Sequence, residues 1–361
     1  MSPRERRAGS QRSGAGGLTL KELGRRIAAA HAAEPFRVLV GMDEAGLGPI
    51  LGPLSIGYCA LRLPSPDTCP WTALKPVVTR KPESDKRRIV VADSKAVFTR
   101  TPRGERRLEL TALAFQALTR AGRTAPADGR ELLAHGPLGQ TAEQLARTPW
   151  TGHLPTALPL TIDGGMLELR VARLARELER AEIDVLATGT RILPASELND
   201  SFAQTDNKSR THWDACAPAL DHLWTSYAAE GMVAIVDRHG GRMRYGALLE
   251  ESLADSTVEV VCELESYSEY VVTDGDERGR RMRIAFSEKG DRFSFPVALA
   301  SCFAKYAREV SMEAFNAYFT ELQPSLRPTA GYYSDGQRWL EEAGEAIERS
   351  GLTPRQLVRE R

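Results

Sequence analysis

The chain has 361 residues, of which 42% are hydrophobic and 27% charged, and its 48 Lys and Arg residues balance 48 Asp and Glu residues. This composition is typical of a folded globular protein and excludes a disordered or fibrous chain. A formal net charge of zero removes the overall basic excess of many nucleic-acid-binding proteins, so any nucleic acid must be bound by a local basic patch.

Features of secreted and membrane-anchored proteins are missing from the sequence, which predicts a cytoplasmic protein. Residues 1–17 contain no apolar stretch that would serve as a secretory signal, and no run of roughly eighteen apolar residues follows. The scattered cysteines never form a Cys-x-x-Cys pair, so we expect reduced core residues and neither disulfides nor a zinc knuckle. They are Cys59, Cys69, Cys216, Cys262 and Cys302.

Three segments are predicted along the chain. Residues 1–17 are expected to form a disordered basic tail, because an Arg-, Ser- and Gly-rich stretch buries too little apolar surface to become ordered. Residues 18–345 are expected to form one large domain. Residues 346–361 are expected to form a C-terminal helical tail.

Hydrophobic periodicity in the first part of the chain predicts a helix, a hairpin and a second helix. The helix lies within residues 18–30, and residues 36–42 form a strand that ends at Asp43 and Glu44. A second strand follows a glycine- and proline-punctuated segment, which predicts two antiparallel strands joined by a bend over residues 43–52. A short strand over 89–92 and a helix over 105–121 come next.

The second part of the chain alternates between helical and strand patterns. Leu167, Val171, Leu174 and Leu178 lie on one predicted helical stripe. Further helices are predicted over 196–227 and from Pro296 onward, and strands over 183–188, 233–236 and within 258–288. This alternation predicts an α/β fold.

Carboxylates follow apolar strands at three places in the sequence. Asp43 and Glu44 end the first strand, Asp237 follows Val-Ala-Ile-Val, and Asp291 follows a strand predicted to end at Lys289. The carboxyl ends of strands are where open α/β sheets gather functional groups, so we expect these acids to share a cleft. Oxygen ligands favour Mg²⁺ or Mn²⁺, and two such ions hydrolyse phosphodiesters by in-line displacement.

Each of these acids also has a simpler interpretation, because a single Asp at a strand end is typical of a turn or a helix cap. Adjacent strand residues point to opposite faces, so Asp43 and Glu44 share a site only if the chain bends there. Gly46 and Gly48 favour such a bend. His239, in the segment Arg238-His239-Gly240-Gly241, is interpreted first as part of a turn, and a contact with substrate or metal is the alternative.

Three groups of basic and hydroxyl residues are candidates for phosphate contacts. Ser94 and Lys95 at a predicted helix start would bind an oxyanion through backbone amides, hydroxyl and ammonium groups. Lys305 lies one helical turn after Ser301, so both are predicted to face the cleft, although a surface lysine is an equal interpretation. The basic residues within 75–88 are either a strand-binding path or a solvated loop.

The segment Asp-Glu-Ala-Gly-Leu-Gly-Pro-Ile-Leu-Gly-Pro over residues 43–53 resembles the signature that opens type 2 ribonucleases H, the ribonuclease HII family. Later motifs of that family have similar segments here in the same order. These are Asp93-Ser94-Lys95, Glu197-Leu198-Asn199, Val236-Asp237, Lys289-Gly290-Asp291, Ala300 to Lys305, and Gly331 to Asp335.

The resemblance implies a ribonuclease H-like α/β fold, with a mixed central sheet flanked by helices and atypical insertions at about 101–165 and 258–288. It implies an endoribonuclease that hydrolyses the RNA strand of RNA/DNA hybrids with two Mg²⁺ or Mn²⁺ ions. The implied catalytic metal ligands are Asp43, Glu44, Asp237 and Asp291. The implied substrate-binding residues are Gly46, Gly48, Ser94, Lys95, Lys305 and Tyr332. We expect a monomer whose partner is hybrid nucleic acid.

The sequence departs from the family pattern at Leu47, where the family has an arginine between the two glycines. The resemblance then favours hybrid cleavage, as in ribonuclease HIII, over incision at single ribonucleotides, whereas Tyr332 matches the tyrosine that senses a ribonucleotide junction. Two alternatives stay open: a paralogue that binds nucleic acid or a partner without cutting, and a nuclease of the same fold acting on another phosphodiester.

Overall fold

A seven-stranded sheet forms the centre of the structure, a computed structural model that describes residues 18–32, 36–275 and 279–360. The tail predicted over residues 1–17 lies outside the described residues. The strands in chain order are β1 (Val38–Ala45), β2 (Leu54–Arg62), β3 (Val78–Thr79), β4 (Ile89–Val90), β5 (Asp184–Leu193), β6 (Met232–Asp237), β7 (Ser256–Leu264), β8 (Tyr267–Asp274) and β9 (Arg281–Ser287).

The strand order in the sheet is β5-β2-β1-β6-β9-β8-β7, and β3 pairs with β4 separately. The three central strands β1, β6 and β9 are parallel, whereas β2, β5, β7 and β8 pair in antiparallel fashion. The predicted mixed sheet and the predicted β1–β2 hairpin are therefore confirmed. Because β1, β6 and β9 run in the same direction, their carboxyl ends lie at one edge of the sheet.

Helices flank this sheet, which confirms the predicted α/β class. In chain order they are α1 (Leu20–Ala32), α2 (Pro70–Ala73), α3 (Ser94–Val97), α4 (Pro102–Ala117), α5 (Gly129–Leu133), α6 (Ala142–Ala146), α7 (Gly164–Arg180), α8 (Ala195–Thr205), α9 (Lys208–Tyr227), α10 (Gly246–Ser252), α11 (Phe295–Leu322), α12 (Tyr333–Glu342), α13 (Gly344–Ser350) and α14 (Pro354–Leu357). Short 3₁₀ turns occur at Pro82–Ser84, Ala121–Arg123, Pro149–His153, Ala228–Glu230 and Gly290–Arg292.

Alternate residues of the central strands contribute to two separate apolar cores, as the period of two in a strand requires. Val233 and Ile235 of β6 pack in the core that contains residues of α4, α7 and α11, whereas Ala234 and Val236 pack in the core that contains residues of α9 and α10. Both faces of the sheet are therefore covered by helices, which holds the strand ends in fixed positions.

The single helix predicted over residues 196–227 is wrong, because the structure has two helices there. Asp206 adopts a left-handed conformation with φ of 46° and ends α8. The Asn207 side chain then accepts a hydrogen bond from the Arg210 amide and begins α9. Short polar side chains favour such caps, and this local preference outweighs the continuous helical pattern.

The strand predicted to end at Lys289 ends two residues earlier, at Ser287. Lys289 has a left-handed φ of 56°, and Asp291 follows it on the 3₁₀ turn Gly290–Arg292. Asp291 therefore lies on a turn beyond the sheet edge, whereas Asp237 is the last residue of its strand.

The C-terminal segment contacts the main body of the protein. Val358 forms an isolated β-bridge with Leu51. The Asn199 side chain on α8 donates to the carbonyl oxygens of Arg355 and Val358 at 2.8 and 2.7 Å. The segment over 258–288 contributes β8, β9 and most of β7, and residues 101–165 contain α4, α5, α6 and the first residues of α7. The predicted domain limits and insertions stay predictions.

The prediction that the cysteines are core residues is confirmed for three of them, which are buried: Cys59, Cys216 and Cys302. Cys262 is half-buried. The prediction of a core residue is wrong for Cys69, which is exposed beside the start of α2, where Pro70 is buried in its place. Among the helices of the described residues, none has the length and apolar character needed to cross a bilayer.

The long helix α11 lies close against β1 and β2 because glycines face it. A Cβ atom added at Gly41 would lie 2.1 Å from the Val297 amide nitrogen, and one at Gly57 would lie 2.1 Å from the Ala300 carbonyl oxygen. Real Cβ atoms never approach other atoms so closely, so these two positions require glycine. This contact sets the distance between α11 and the sheet.

We expect the Gly57→Ala variant to lose about 2 kcal/mol or more of the free energy of unfolding, since the added methyl group displaces α11 from the sheet. Urea unfolding of this variant and of Gly152→Ala measures the effect. Gly152 is the matched control, because among the described residues no atom lies within 4 Å of its added Cβ. Equal stabilities of the two variants would contradict the close packing of α11.

Candidate active site

Three acidic side chains converge at the carboxyl ends of β1 and β6. Asp43, Glu44 and Asp237 each offer a carboxylate oxygen, and these oxygens all lie within 4.8 Å of one another. Pairing of β1 with β6 ends at Met42 and Val236, so the acids follow directly after the paired residues. The parallel arrangement of two neighbouring strands therefore creates the cluster.

Asp43 and Glu44 reach one site although they are neighbours in a strand. The pairing of β1 with β2 continues without a register shift to Ala45. The Glu44 amide donates to Asp43 Oδ1 at 2.7 Å, so the Asp43 carboxylate is turned toward the next residue. The two carboxylates therefore meet without an interruption of the β1–β2 ladder.

Asp291 lies beside the cluster, and a further acidic residue, Asp93, lies next to it. Its carboxyl group is hydrogen-bonded to Asp93, and its negative charge raises the pKa values of Asp43 and Asp237. Asp93 caps α3, where its Oδ1 accepts from the Lys95 amide at 2.9 Å. The sequence-based site omitted Asp93, although this residue opens the Asp-Ser-Lys motif directly after a short strand.

Burial and mutual repulsion disfavour the ionised forms of these acids. Burial is the largest cause that raises the pKa values of Asp43 and Asp237 well above the ordinary range, and the neighbouring carboxylates raise them further. Burial also raises the pKa of Glu44 to about 7 and that of Asp291 to about 6. The Lys95 ammonium opposes this effect at Glu44, Asp237 and Asp291.

This donor set fits hard divalent cations. The candidate ligands are all carboxylate oxygens, and they repel one another in a desolvated position where a cation of charge two would compensate them. Asp43, Glu44, Asp237 and Asp291 are the residues that would hold Mg²⁺ or Mn²⁺. Asp93 is placed to orient Asp291 through their hydrogen bond.

The predicted oxyanion site at the start of α3 is wrong in its use of backbone amides. The Ser94 amide donates to Ser301 Oγ at 3.2 Å, and the Lys95 amide donates to Asp93. Ser301 in turn donates to the Ala298 carbonyl oxygen at 2.8 Å. These groups join α3 to α11, so the Ser94 hydroxyl and the exposed Lys95 ammonium stay the predicted phosphate contacts at this position.

Lys305 is placed differently from Lys95. Its ammonium group forms an ion pair with Glu309 at 2.5 Å and lies 4.7 Å from the centre of the Phe98 ring. Ser301, one turn earlier, is buried. Lys95 is therefore the lysine that lies beside the acid cluster. Lys305 is paired with Glu309 on the same helix, α11.

The two glycines of the opening motif have different environments. Gly46 has φ of +89°, and its added Cβ would lie 2.3 Å from Arg308 Nε, so the fold itself requires this glycine. Arg359 holds the same loop from the C-terminal segment by donating to the carbonyl oxygens of Gly46 and Gly52. At Gly48 the added Cβ meets no atom of the described chain within 4 Å.

Tyr332 lies near this loop, because the ring of Tyr332 and Gly46 both lie beside Arg308. Its side chain is 52% exposed at the start of α12, and the Arg308 guanidinium lies 5.9 Å from the centre of its ring. Arg308 is itself buried beneath Gly46 and donates to the Ala330 carbonyl oxygen at 3.0 Å. Gly46 and Tyr332 therefore contact the same side chain, while Leu47 is 44% exposed.

The basic run before the Asp-Ser-Lys motif lines a pocket of about 440 Å³. Lys86 and Arg88 from the run meet arginines of α4 and α7 there, and Asp85 forms ion pairs with two of them. The helix arginines are Arg103, Arg106, Arg107 and Arg170. The sequence analysis did not predict this cluster of basic residues, because the elements that contribute to it are far apart along the chain.

No protein-family model and no curated protein sequence matches the chain. Solved structures are similar to it. The ribonuclease HII of Archaeoglobus fulgidus, in a complex with PCNA, is 17% identical, with 90% of this chain and 94% of that chain covered and a TM-score of 0.39. The ribonuclease H2 of Pyrococcus horikoshii OT3 is 14% identical, with 89% and 92% covered and a TM-score of 0.38. The Bst ribonuclease HIII in complex with Mn²⁺ is 13% identical, with 91% and 68% covered and a TM-score of 0.39.

We expect Asp237→Asn to stabilise the metal-free protein at pH 8 by at least about 1 kcal/mol, because it removes one of the repelling charges. A carboxyl group whose pKa is raised by folding destabilises the fold above its folded pKa, and this penalty disappears as the pH falls toward about 4. Thermal unfolding in chelator at pH 8 and at pH 4 measures the difference.

Asp184→Asn is the matched control, because Asp184 is 65% exposed and paired with Arg62, at the end of the strands opposite to the acids. Its removal should change the unfolding free energy by less than about 1 kcal/mol. Destabilisation of the metal-free protein by Asp237→Asn at pH 8 would show that the clustered carboxylates do not repel one another as described.

Proposed function

We propose that this chain is a divalent-metal-dependent endoribonuclease that hydrolyses the RNA strand of RNA/DNA hybrids. The observation that carries the proposal is the convergence of Asp43, Glu44 and Asp237 within 4.8 Å at the ends of parallel strands, with Asp291 beside them. The order of motifs from residue 43 to residue 335, which resembles that of type 2 ribonucleases H, supports the same conclusion.

Bound Mg²⁺ or Mn²⁺ would activate the attacking water and stabilise the leaving oxygen of the phosphodiester. The protein contributes the carboxylates, their fixed positions at the strand ends and a desolvated environment that strengthens each electrostatic contact. Lys95 lies exposed beside the acids and supplies the positive charge that a scissile phosphate requires. Asp93 positions Asp291 and Lys95 through its two hydrogen bonds.

The loop that contains Gly46 and Gly48 supplies the surface for the RNA strand. Gly48 leaves space in which a ribose can approach the backbone, because no side chain intervenes. Tyr332 presents a half-exposed ring from the neighbouring α12, which is suited to stacking against a sugar or base. These groups recognise the shape and the 2′-hydroxyl of RNA.

Leu47 favours continuous hybrids over single embedded ribonucleotides as substrates. Its exposed side chain is apolar, so it offers no charged contact at this position. The nearby guanidinium groups of Arg308 and Arg359 donate to backbone carbonyl oxygens beneath the loop and do not replace such a contact. Recognition therefore depends on many weak contacts along a hybrid.

We expect purified protein to cut a continuous RNA/DNA hybrid in Mg²⁺ or Mn²⁺ and Asp237→Asn to cut it at least roughly 100-fold more slowly, since a metal ligand is lost. The assay uses labelled hybrid, with Asp184→Asn as the control that keeps full activity. Binding of hybrid without cleavage by the wild-type protein would favour a non-cutting paralogue, and cleavage of duplex DNA or structured RNA alone would favour another phosphodiester substrate.

We expect Gly48→Ala to raise the KM for hybrid several-fold at unchanged stability, because the methyl group lies between backbone and ribose. Gly46→Ala is the contrasting variant, and it should lose about 1–2 kcal/mol of unfolding free energy because L-residues avoid positive φ. Steady-state cleavage and urea unfolding separate the two effects. An unchanged KM for Gly48→Ala would remove this loop from the substrate-binding surface.

A further inference from the structure

A second set of metal-ligating side chains lies beside the carboxylates. His212, Cys216 and His239 are buried, and each offers one ligand atom, all within 4.8 Å of one another. His212 and Cys216 are one turn apart on α9, so they share a face of that helix. His239 follows Asp237 by two residues and extends from the end of β6 toward the same point.

The two imidazoles carry unsatisfied polar atoms. His212 and His239 are only 4% and 3% exposed, and their ring centres are 4.1 Å apart. His212 Nε2 and His239 Nδ1 are buried without a hydrogen-bond partner in the part of the chain that the structure describes. A buried polar atom without a partner destabilises the fold, and a ligand bound to both nitrogens would remove this cost.

The geometry points to a Zn²⁺ site formed by His212, Cys216 and His239, separate from the all-oxygen site of the acids. Imidazole and thiolate ligands favour Zn²⁺, whereas carboxylates favour Mg²⁺ and Mn²⁺. Tetrahedral zinc has bonds of about 2.0–2.3 Å, which requires ligand atoms roughly 3.3–3.8 Å apart. An inward movement of about 1 Å would bring the three ligand atoms to this spacing.

Glu44 connects the zinc site with the acid cluster. Its Oε2 atom lies 3.8 Å from His212 Nε2, and its carboxylate is also one of the three in the cluster with Asp43 and Asp237. Glu44 is therefore placed to become the fourth ligand of the zinc ion.

An ion has a path to this site from the surface. A pocket of about 340 Å³ opens between the Leu47–Pro49 segment and the helices α8 and α9, and His212 forms part of its wall. Asn199, Lys208 and Thr211 line it as well. The imidazole of His212 is thus reached from the same pocket that the glycine loop borders.

Titration of the chelator-treated 361-residue protein with Co²⁺, a spectroscopic substitute for zinc, tests the site. We expect one equivalent of Co²⁺ to produce a thiolate-to-cobalt charge-transfer band that Zn²⁺ abolishes and excess Mg²⁺ does not. Cys216→Ser should lose the band, and His239→Gln should weaken zinc binding at least about 100-fold in a competition with a chromophoric chelator.

Cys69→Ser is the matched control, because Cys69 is the exposed cysteine and the natural place for adventitious binding. It should keep the band. X-ray absorption of the zinc-loaded wild-type protein gives an independent answer if a variant fails to fold, and we expect one sulfur and two imidazole ligands. A wild-type protein without the band, a band that survives in Cys216→Ser, or a zinc shell without sulfur would overturn the proposal.

This inference is independent of the proposed hydrolysis of hybrids. Asp237→Asn should lose cleavage and keep the cobalt band, because Asp237 is not one of the three ligands. Loss of the band in Cys216→Ser with cleavage retained in Mg²⁺ would support both proposals. An active wild-type protein without the band would contradict the zinc site alone.

Discussion

Electrostatic repulsion among half-buried carboxylates is the constraint on which the arrangement of this structure depends. Asp43, Glu44, Asp237 and Asp291 lie together with raised pKa values, and the Lys95 ammonium compensates only part of their charge. An arrangement of this kind opposes folding, so the surrounding structure must hold the acids in place. A divalent cation would neutralise these negative charges, so relief of their repulsion would favour cation binding. The cluster is therefore best understood as a metal site.

The rest of the fold keeps the acids in position. Apolar residues on both faces of the central sheet fix β1, β6 and β9, and the glycines at 41 and 57 let α11 lie directly against β1 and β2. Ser301 on α11 then accepts a hydrogen bond from the Ser94 amide and brings α3, with Asp93 and Lys95, to the sheet edge. Stability elsewhere in the molecule thus compensates an unfavourable local electrostatic energy.

Local patterns predicted the α/β class, the hairpin and the strand-end acids, because period-two burial and carboxylates after apolar runs are visible in the sequence. The mixed order of the sheet was implied by the resemblance alone. Contacts between distant segments were not predictable in this way. Asp93 joins Asp291 across almost two hundred residues, Arg359 supports the Gly46 loop from the C-terminal segment, and Glu309 takes the ammonium group of Lys305. The break at Asp206 was missed because a capping preference acts against a continuous apolar pattern.

Anomalous diffraction from crystals grown with Mn²⁺ would test the central claim most directly, because it locates bound ions without relying on activity. The account predicts anomalous peaks bounded by Asp43, Glu44, Asp237 and Asp291, and their loss in crystals of Asp43→Asn. Ordered crystals that bind Mn²⁺ elsewhere, or that leave these four carboxylates without an ion at saturating Mn²⁺, would contradict it.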